Sequence, residues 1–381
     1  MRPKTLYLDH AATCWPRPPA VAAAMTAALE EGGNPGRSGH YRSLDAARMV
    51  FGARQAVARH LGVGDPRRVV FTPGCTEGIN VVLSGLLEPG GRVVTTAMEH
   101  NAAARALRHL AATRGVALEI VAPGPDGRVD PRDLRRAAAG ASFAVVNWVS
   151  NVSGTVQDLP ALREATRGIP LLVDGAQAAG HLPVAVDGLG IDYLAVPGHK
   201  GLRGPPGVGV LCLGPGARVP VPLVHGGTGS RSEEDRQPPF LPDALEAGTP
   251  NVPGIRGLAA GIAAVEAGGL PALQAREQAL CARFLEGLEA RALPVRVLGP
   301  RDPTLRVAVF GLVPERGDAG TLALRLEREH GVLARAGLHC APWAHRALGS
   351  FPGGALRLSF GPDHGDDAVD EALAALEAVC P

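Results

Sequence analysis

The sequence predicts an α/β protein: a large domain on a mostly parallel, seven-stranded sheet, followed by a smaller α+β C-terminal domain. Three observations carry this. Seven short apolar runs alternate with helix-like stretches between about residues 68 and 213, the pattern of a parallel sheet with helices on both faces. The runs are almost wholly apolar, as strands covered on both sides are. Beyond about residue 255 the alternation gives way to a long helical stretch and then to spaced strands and helices.

The predicted strands of the large sheet are residues 68–71, 92–95, 118–121, 144–147, 170–173, 193–196 and 209–212. Helical periodicity fills Asn101 to Arg114 and Leu159 to Arg167. Residues 215–255 are rich in Gly, Pro and polar side chains and read as long loops, which in compact proteins are often functional or interfacial. One helical pattern then runs from about Gly254 to Ala292. After it, Leu305 to Phe310 and Ala355 to Phe360 read as strands, and Ala319 to His330 and Asp366 to Val379 as helices. The expected division is a large domain over 15–255, with 1–14 and 256–381 forming the small one.

Composition narrows the function. The 381 residues carry a formal charge of +1 with acids and bases interspersed, so no basic face for nucleic acid or a membrane surface is expected. No apolar stretch reaches the roughly 18 residues of a membrane helix, and the start lacks the apolar segment of a secretory signal. The six cysteines are widely spaced without C-x-x-C, so neither a disulfide framework nor a metal site is expected. A cytoplasmic protein is the simplest expectation.

Of 38 basic residues only Lys4 and Lys200 are lysine. In a chain that uses Arg almost everywhere, a retained lysine points to chemistry that Arg lacks: an amine that can lose its proton and form a Schiff base. Lys4, at the chain start, reads as a solvated charge. Lys200 follows Pro197-Gly198-His199 at the end of an apolar run; a chance surface lysine is the competing reading.

Two more features stand just beyond predicted strands, where ligands of such sheets bind. Gly74-Cys75-Thr76 turns from a strand into a helix whose free N–H groups and dipole suit a phosphate. It is neither a P-loop nor a dinucleotide fingerprint. Asp174 follows Leu171-Leu172-Val173; alone it could equally cap a helix. Together, an anion, a lysine and a phosphate cup are what pyridoxal 5'-phosphate (PLP) requires.

These and further segments make the chain resemble the class V aminotransferase family of fold-type-I PLP enzymes, within it the cysteine desulfurase and selenocysteine lyase group. The matching segments are residues 7–13, 34–40, 76–80, 98–101, 149–155, 174–177, 198–200 and 246–251. The resemblance implies that Lys200 holds PLP and then moves the substrate Cα proton, and that His100 lies over the pyridine ring and shuttles protons. By itself His100 would read as an ordinary helix-start histidine. Asn151 and Gln177 are implied to bind the phenolic oxygen of the cofactor, and Asp174 its ring nitrogen. Thr76, the Cys75 backbone and His199 are implied phosphate ligands, with Thr249 reaching the phosphate of a neighbouring subunit in a homodimer. Arg357 and Asn151 are implied to bind the substrate, the arginine clamping its carboxylate with a bidentate fork.

Arg335-Ala336-Gly337-Leu338-His339-Cys340-Ala341 is similar to the R-x-G-x-H-C-A pattern of the Suf-type desulfurase branch. It makes Cys340 the implied nucleophile, with Arg335 and His339 beside it to favour the thiolate; Cys212 and Cys281 read as buried apolar residues. The expected activity is conversion of L-cysteine to L-alanine with a persulfide left on Cys340, for delivery to a sulfur-acceptor protein. The alternatives are a selenocysteine lyase, another carbon–sulfur lyase or an aminotransferase on the same scaffold. The sequence departs from the family at Pro197 and Cys75, where hydroxyl residues are usual, and at Asp363-His364, where Asn-Thr is usual.

Overall fold

The computed structural model describes residues 5–36 and 39–380. Lys4, and Arg37 and Ser38 of the segment 34–40, lie outside the described residues. Strand β1 (Leu6–Tyr7) precedes helices α1 (Pro19–Glu31) and α2 (Tyr41–His60). The alternating region follows as β2 (Val69–Thr72), α3 (Cys75–Leu86), β3 (Arg92–Thr96), α4 (Asn101–Arg114), β4 (Ala117–Val121), α5 (Pro131–Ala138), β5 (Phe143–Asn147) and α6 (Leu159–Ala165). Strands β6 (Leu171–Asp174), β7 (Tyr193–Pro197) and β8 (Gly209–Leu213) complete it. The remainder is α7 (Val252–Gly268), α8 (Leu270–Ala290), β9 (Val295–Val297), β10 (Val309–Pro314), α9 (Ala319–His330), β11 (Val332–Leu333), β12 (Arg335–Gly337), α10 (Pro342–Ala347), β13 (Ala355–Ser359) and α11 (Asp366–Val379).

The large sheet has seven strands in the order β2-β8-β7-β6-β5-β3-β4. Only β8 is reversed, antiparallel to β7 and β2; the other pairings are parallel. Six strands therefore bring their C-terminal ends to one edge, where the register sets Thr72 and Pro197 on either side of Gly209. Burial on both faces is visible within β5. Ala144 and Val146 join one core with Val57, Leu258 and Ile262, while Phe143 and Val145 join another with Ile79, Leu83 and Leu107. The period of two sends successive side chains to opposite faces, which explains why the strand has no polar side.

The small C-terminal domain is built on the antiparallel sheet β12-β13-β10-β9. Its core packs Phe284, Phe310 and Phe360 with Leu326 and Leu373, and takes Leu6 and Leu8 from the N-terminal segment. Strand β1 pairs in parallel with β11, which ties the N-terminal segment to this domain.

Two expectations are corrected. The helical stretch 254–292 is two helices, bent by 76° at their junction. Gly269 is left-handed there (φ 71°) and Pro271 stands in the first turn of α8, so neither helix can run through the break. The strand expected at 305–310 begins instead at Val309, because the buried Arg306 guanidinium crosses the segment to the carbonyls of Pro300, Ser153 and Val309. No single helix among the described residues is long and apolar enough to cross a membrane.

Candidate active site

The C-terminal edge of the large sheet opens on a cleft of about 290 Å³, near the small end of ligand pockets at ~300–1,000 Å³. Eight of the residues given a catalytic, cofactor or substrate role line it, namely Cys75, Thr76, His100, Asn151, Asp174, His199, Lys200 and Arg357, and Arg335 and His339 from the Cys340 segment join them. Gln177, Thr249 and Cys340 are outside the lining. Gln177 is buried and donates its amide to the carbonyl of Ala11, itself a lining residue. Thr249 is exposed in the single chain.

At the start of α3 the amides of Cys75, Thr76 and Glu77 have no acceptor among the described residues, and the space a side chain would fill at Gly74 is open. Uncapped amides facing open space form an anion seat. Thr76 is exposed there. The Cys75 thiol turns the other way, toward Asp174 Oδ1 (3.6 Å) and the Ala195 carbonyl (3.3 Å), and burial pushes it well up from its ordinary value. His199 is tied through Nδ1 to Thr13 Oγ1 at 3.1 Å; burial, helped by Lys200, pushes its ring down to about 4.

Asp174, at the end of β6, is 1% exposed and accepts the Ala176 amide on Oδ1 at 2.9 Å. Lys200 makes no hydrogen bond or ion pair through its amine among the described residues. Burial lowers its pKa; Arg357 and Arg335 push the same way, opposed by Asp174 and Cys75. His100 serves two ends at once. Its Nδ1 accepts the Ala102 amide at 3.1 Å and so caps α4, while the ring lines the cleft. Burial lowers its pKa, Asp174 opposing. With Nδ1 accepting, the neutral ring carries its proton on Nε2.

Arg357, 1% exposed on β13, is gripped by the Asp9 carboxylate and by the Asn151 carbonyl at 3.2 Å. Its Nε and the Asn151 Oδ1 are buried without partners. Unpartnered buried polar atoms are costly, so such atoms lining a cleft mark where a polar ligand fits. Anion, amine, phosphate seat and an unsatisfied acceptor beside a buried guanidinium together fit PLP and an amino acid.

Cys340 is exposed beside this cleft, in the turn between β12 and α10. Arg335 Nη2 lies 3.7 Å from its Sγ. The turn is fastened on both sides: the Cys340 carbonyl accepts the Asn101 amide at 2.7 Å, and the His339 carbonyl accepts Asn151 Nδ2 at 2.7 Å. The first bond satisfies an open amide of α4, so helix start and cysteine hold each other. Sequence reading missed Asp9 as the partner of Arg357 and Glu99, fully buried next to His100. Both stand within matched segments, which was the only available signal.

The class-V aminotransferase family model matches residues 6–371. The chain belongs to that family. Within it, a probable cysteine desulfurase of Pyrococcus abyssi is 31% identical over 98% of this chain and 94% of that protein. One of Pseudomonas aeruginosa is 36% identical over 97% and 92%. Among solved structures, the apo cysteine desulfurase of Thermococcus onnurineus superposes with a TM-score of 0.92, at 31% identity over 99% of this chain and 94% of its own. The class-V scaffold is thus shared over nearly the full length, and the cleft lies at the edge where its strands end.

Proposed function

We propose that this protein is a PLP-dependent cysteine desulfurase of the Suf-type branch that converts L-cysteine to L-alanine and leaves the sulfur on Cys340 as a persulfide. The observation that carries the reading is the exposed Cys340 thiol beside Arg335, at the rim of a cleft holding Lys200, Asp174 and Arg357. An aminotransferase has no use for that thiol. The relatives named cysteine desulfurases support the same activity.

In this reading Lys200 binds the cofactor covalently, Asp174 faces its ring nitrogen, the Gly74–Thr76 turn and His199 take the phosphate, and Asn151 with Gln177 serves its phenolic oxygen. PLP, when bound, supplies an electron sink that acidifies the Cα–H of the amino acid joined to it. Arg357 orients the substrate carboxylate through a two-pronged contact. Lys200, its amine set free when the amino group of the substrate takes its place and its pKa lowered by burial, would take the Cα proton. Cys340 thiolate would attack the substrate sulfur; the S–S bond forms as the Cβ–S bond breaks, the electron pair is left on Cβ, which takes up a proton, and Lys200 returns the proton to Cα to give alanine. His100, which lines the same cleft, is the proton shuttle. The working unit is a homodimer in the cytoplasm, with large domain 15–255, small domain 1–14 plus 256–381, Thr249 serving the neighbour's phosphate, and an acceptor protein taking the persulfide.

The test is Cys340→Ala. The variant should keep the cofactor absorbance of the wild type, yet lose alanine formation from L-cysteine by at least on the order of a hundredfold. Mass spectrometry of the cysteine-treated wild type should place the extra sulfur on the Cys340 peptide. Sulfur on buried Cys75 or Cys14, or near-normal turnover in the variant, sinks the reading and favours a lyase that releases sulfur directly; selenocysteine run in parallel identifies the preferred chalcogen.

A further inference from the structure

Behind Cys340 runs a buried chain of three side chains that the reaction above does not use. Ser350 Oγ lies 2.8 Å from His345 Nδ1, His345 Nε2 lies 3.3 Å from His339 Nδ1, and His339 Nε2 lies 3.2 Å from the carbonyl of Arg335. Their exposures are 6%, 0% and 2%, and the two rings stack at 5.4 Å.

The hydrogens in this chain can be assigned by elimination. A carbonyl only accepts, so His339 Nε2 carries the proton. Burial keeps both rings neutral, with His339 pushed down to about 3 and His345 to about 4. The His339 Nδ1 is therefore bare and needs a donor, which only His345 Nε2–H supplies. That leaves His345 Nδ1 bare, and the Ser350 hydroxyl donates to it. Every bond points one way, from Ser350 to the Arg335 carbonyl. Loss of the Ser350 proton would free His345 to change tautomer and set two lone pairs against each other.

The chain ends on the two residues that matter to the thiol. His339 and Cys340 are both left-handed, at φ 48° and 56°, a conformation that side-chain-bearing residues adopt only when their surroundings impose it. Arg335, whose carbonyl terminates the chain, places its guanidinium at Cys340 Sγ. We infer that the Ser350–His345–His339 chain sets the attack geometry of Cys340, making His345 and Ser350 positioning residues for sulfur transfer. This rests on the reading of Cys340 as the sulfur-accepting group.

The experiment compares Ser350→Ala, Ser350→Thr and His345→Phe in the PLP-loaded enzyme. The rate of persulfide formation on Cys340 after mixing with L-cysteine is followed by mass spectrometry. Exchange of the substrate Cα proton with solvent deuterium and alkylation of Cys340 by iodoacetamide are followed alongside. Ser350→Ala and His345→Phe should slow persulfide formation about ten- to a hundredfold, the scale of a small misplacement of a reacting group. Iodoacetamide reactivity should change, while Cα exchange and the KM for L-cysteine stay within about twofold, and Ser350→Thr should restore the wild-type rate. A persulfide rate in Ser350→Ala within twofold of wild type overturns the inference. So does an equal loss of Cα exchange and persulfide formation in both disruptive variants, which marks a merely structural role. Wild-type enzyme that puts no sulfur on Cys340 overturns the underlying reading instead.

Discussion

Asp9 and Arg357, 348 residues apart in the chain, form an ion pair that fixes the guanidinium on the cleft wall. Burial lowers the pKa of Arg357 and the Asp9 carboxylate compensates. Removing one partner of such a pair leaves a buried charge uncompensated, at a cost of about 3 kcal/mol. Asp9→Asn should therefore lower the urea midpoint by the equivalent of that loss. Arg357→Lys keeps the charge but loses the fork, so the KM for L-cysteine should rise at least about tenfold while cofactor absorbance is retained. An unchanged KM would remove Arg357 from substrate binding.

Lys200 yields a cleaner test, because the only other lysine is Lys4. Borohydride reduction followed by mass spectrometry should add the cofactor's mass to the peptide containing Lys200. In Lys200→Ala no peptide should carry it. Cofactor mass on the Lys4 peptide, or a reducible bond persisting in the variant, contradicts the assignment.

How far the sequence anticipated the structure depends on the range of each interaction. Helices α4, α9 and α11 begin and end where the sequence placed them. Two of them close on left-handed glycines, Gly115 and Gly331, and such ends are written locally. The strands were legible because both faces are buried, leaving continuous apolar runs. Lys200 was legible from compositional contrast, and Asp174 and the Gly74 turn from their place after strands. By contrast, the break at Gly269 and Pro271 had a local signal that a continuous apolar pattern concealed. The Asp9–Arg357 pair has none, because tertiary packing brings together residues 348 positions apart; the His339–His345 contact spans only six residues but depends on the left-handed turn at His339 and Cys340, which no local residue pattern announces. Helices α1 and α2 were not anticipated; the hydrophobic pattern of α1, rich in Ala, gives periodicity little contrast.

Thr249 bears on assembly. It is exposed in the single chain and stands outside the cleft, while Pro197 offers the phosphate seat no donor and the Cys75 thiol faces Asp174. If Thr249 serves a neighbouring subunit's phosphate, its hydroxyl contributes roughly 1.5–3 kcal/mol. Thr249→Ala should then weaken PLP by about tenfold or more by equilibrium dialysis, with the dimer intact by sedimentation. A monomer with full PLP affinity would discard the idea.

The last prediction concerns Glu99, whose burial next to the site pushes its carboxyl up to about 8, Asp174 adding to the shift. Its Oε1 accepts Thr96 Oγ1 at 2.7 Å and the Asn147 amide at 2.8 Å, while Oε2 is buried without a partner. The acid is therefore protonated in the folded protein near neutrality. Unfolded, it would ionise at its ordinary value of 4.5. Between these two values the folded state holds a proton that the unfolded state has lost, so stability falls as pH rises, by up to about 1.4 kcal/mol per pH unit from this group. The neutral, buried His10, His199, His339 and His345 act in the opposite sense below their ordinary value of 6.5, but they are common to wild type and variant and cancel in a difference. Glu99→Gln preserves the oxygen that accepts both hydrogen bonds and cannot ionise. Urea midpoints at saturating PLP should be similar for the two proteins at pH 5, and the variant should gain steadily on the wild type through pH 6.5 to pH 8. A difference that stays flat across that range would show that Glu99 is ionised in the folded protein throughout.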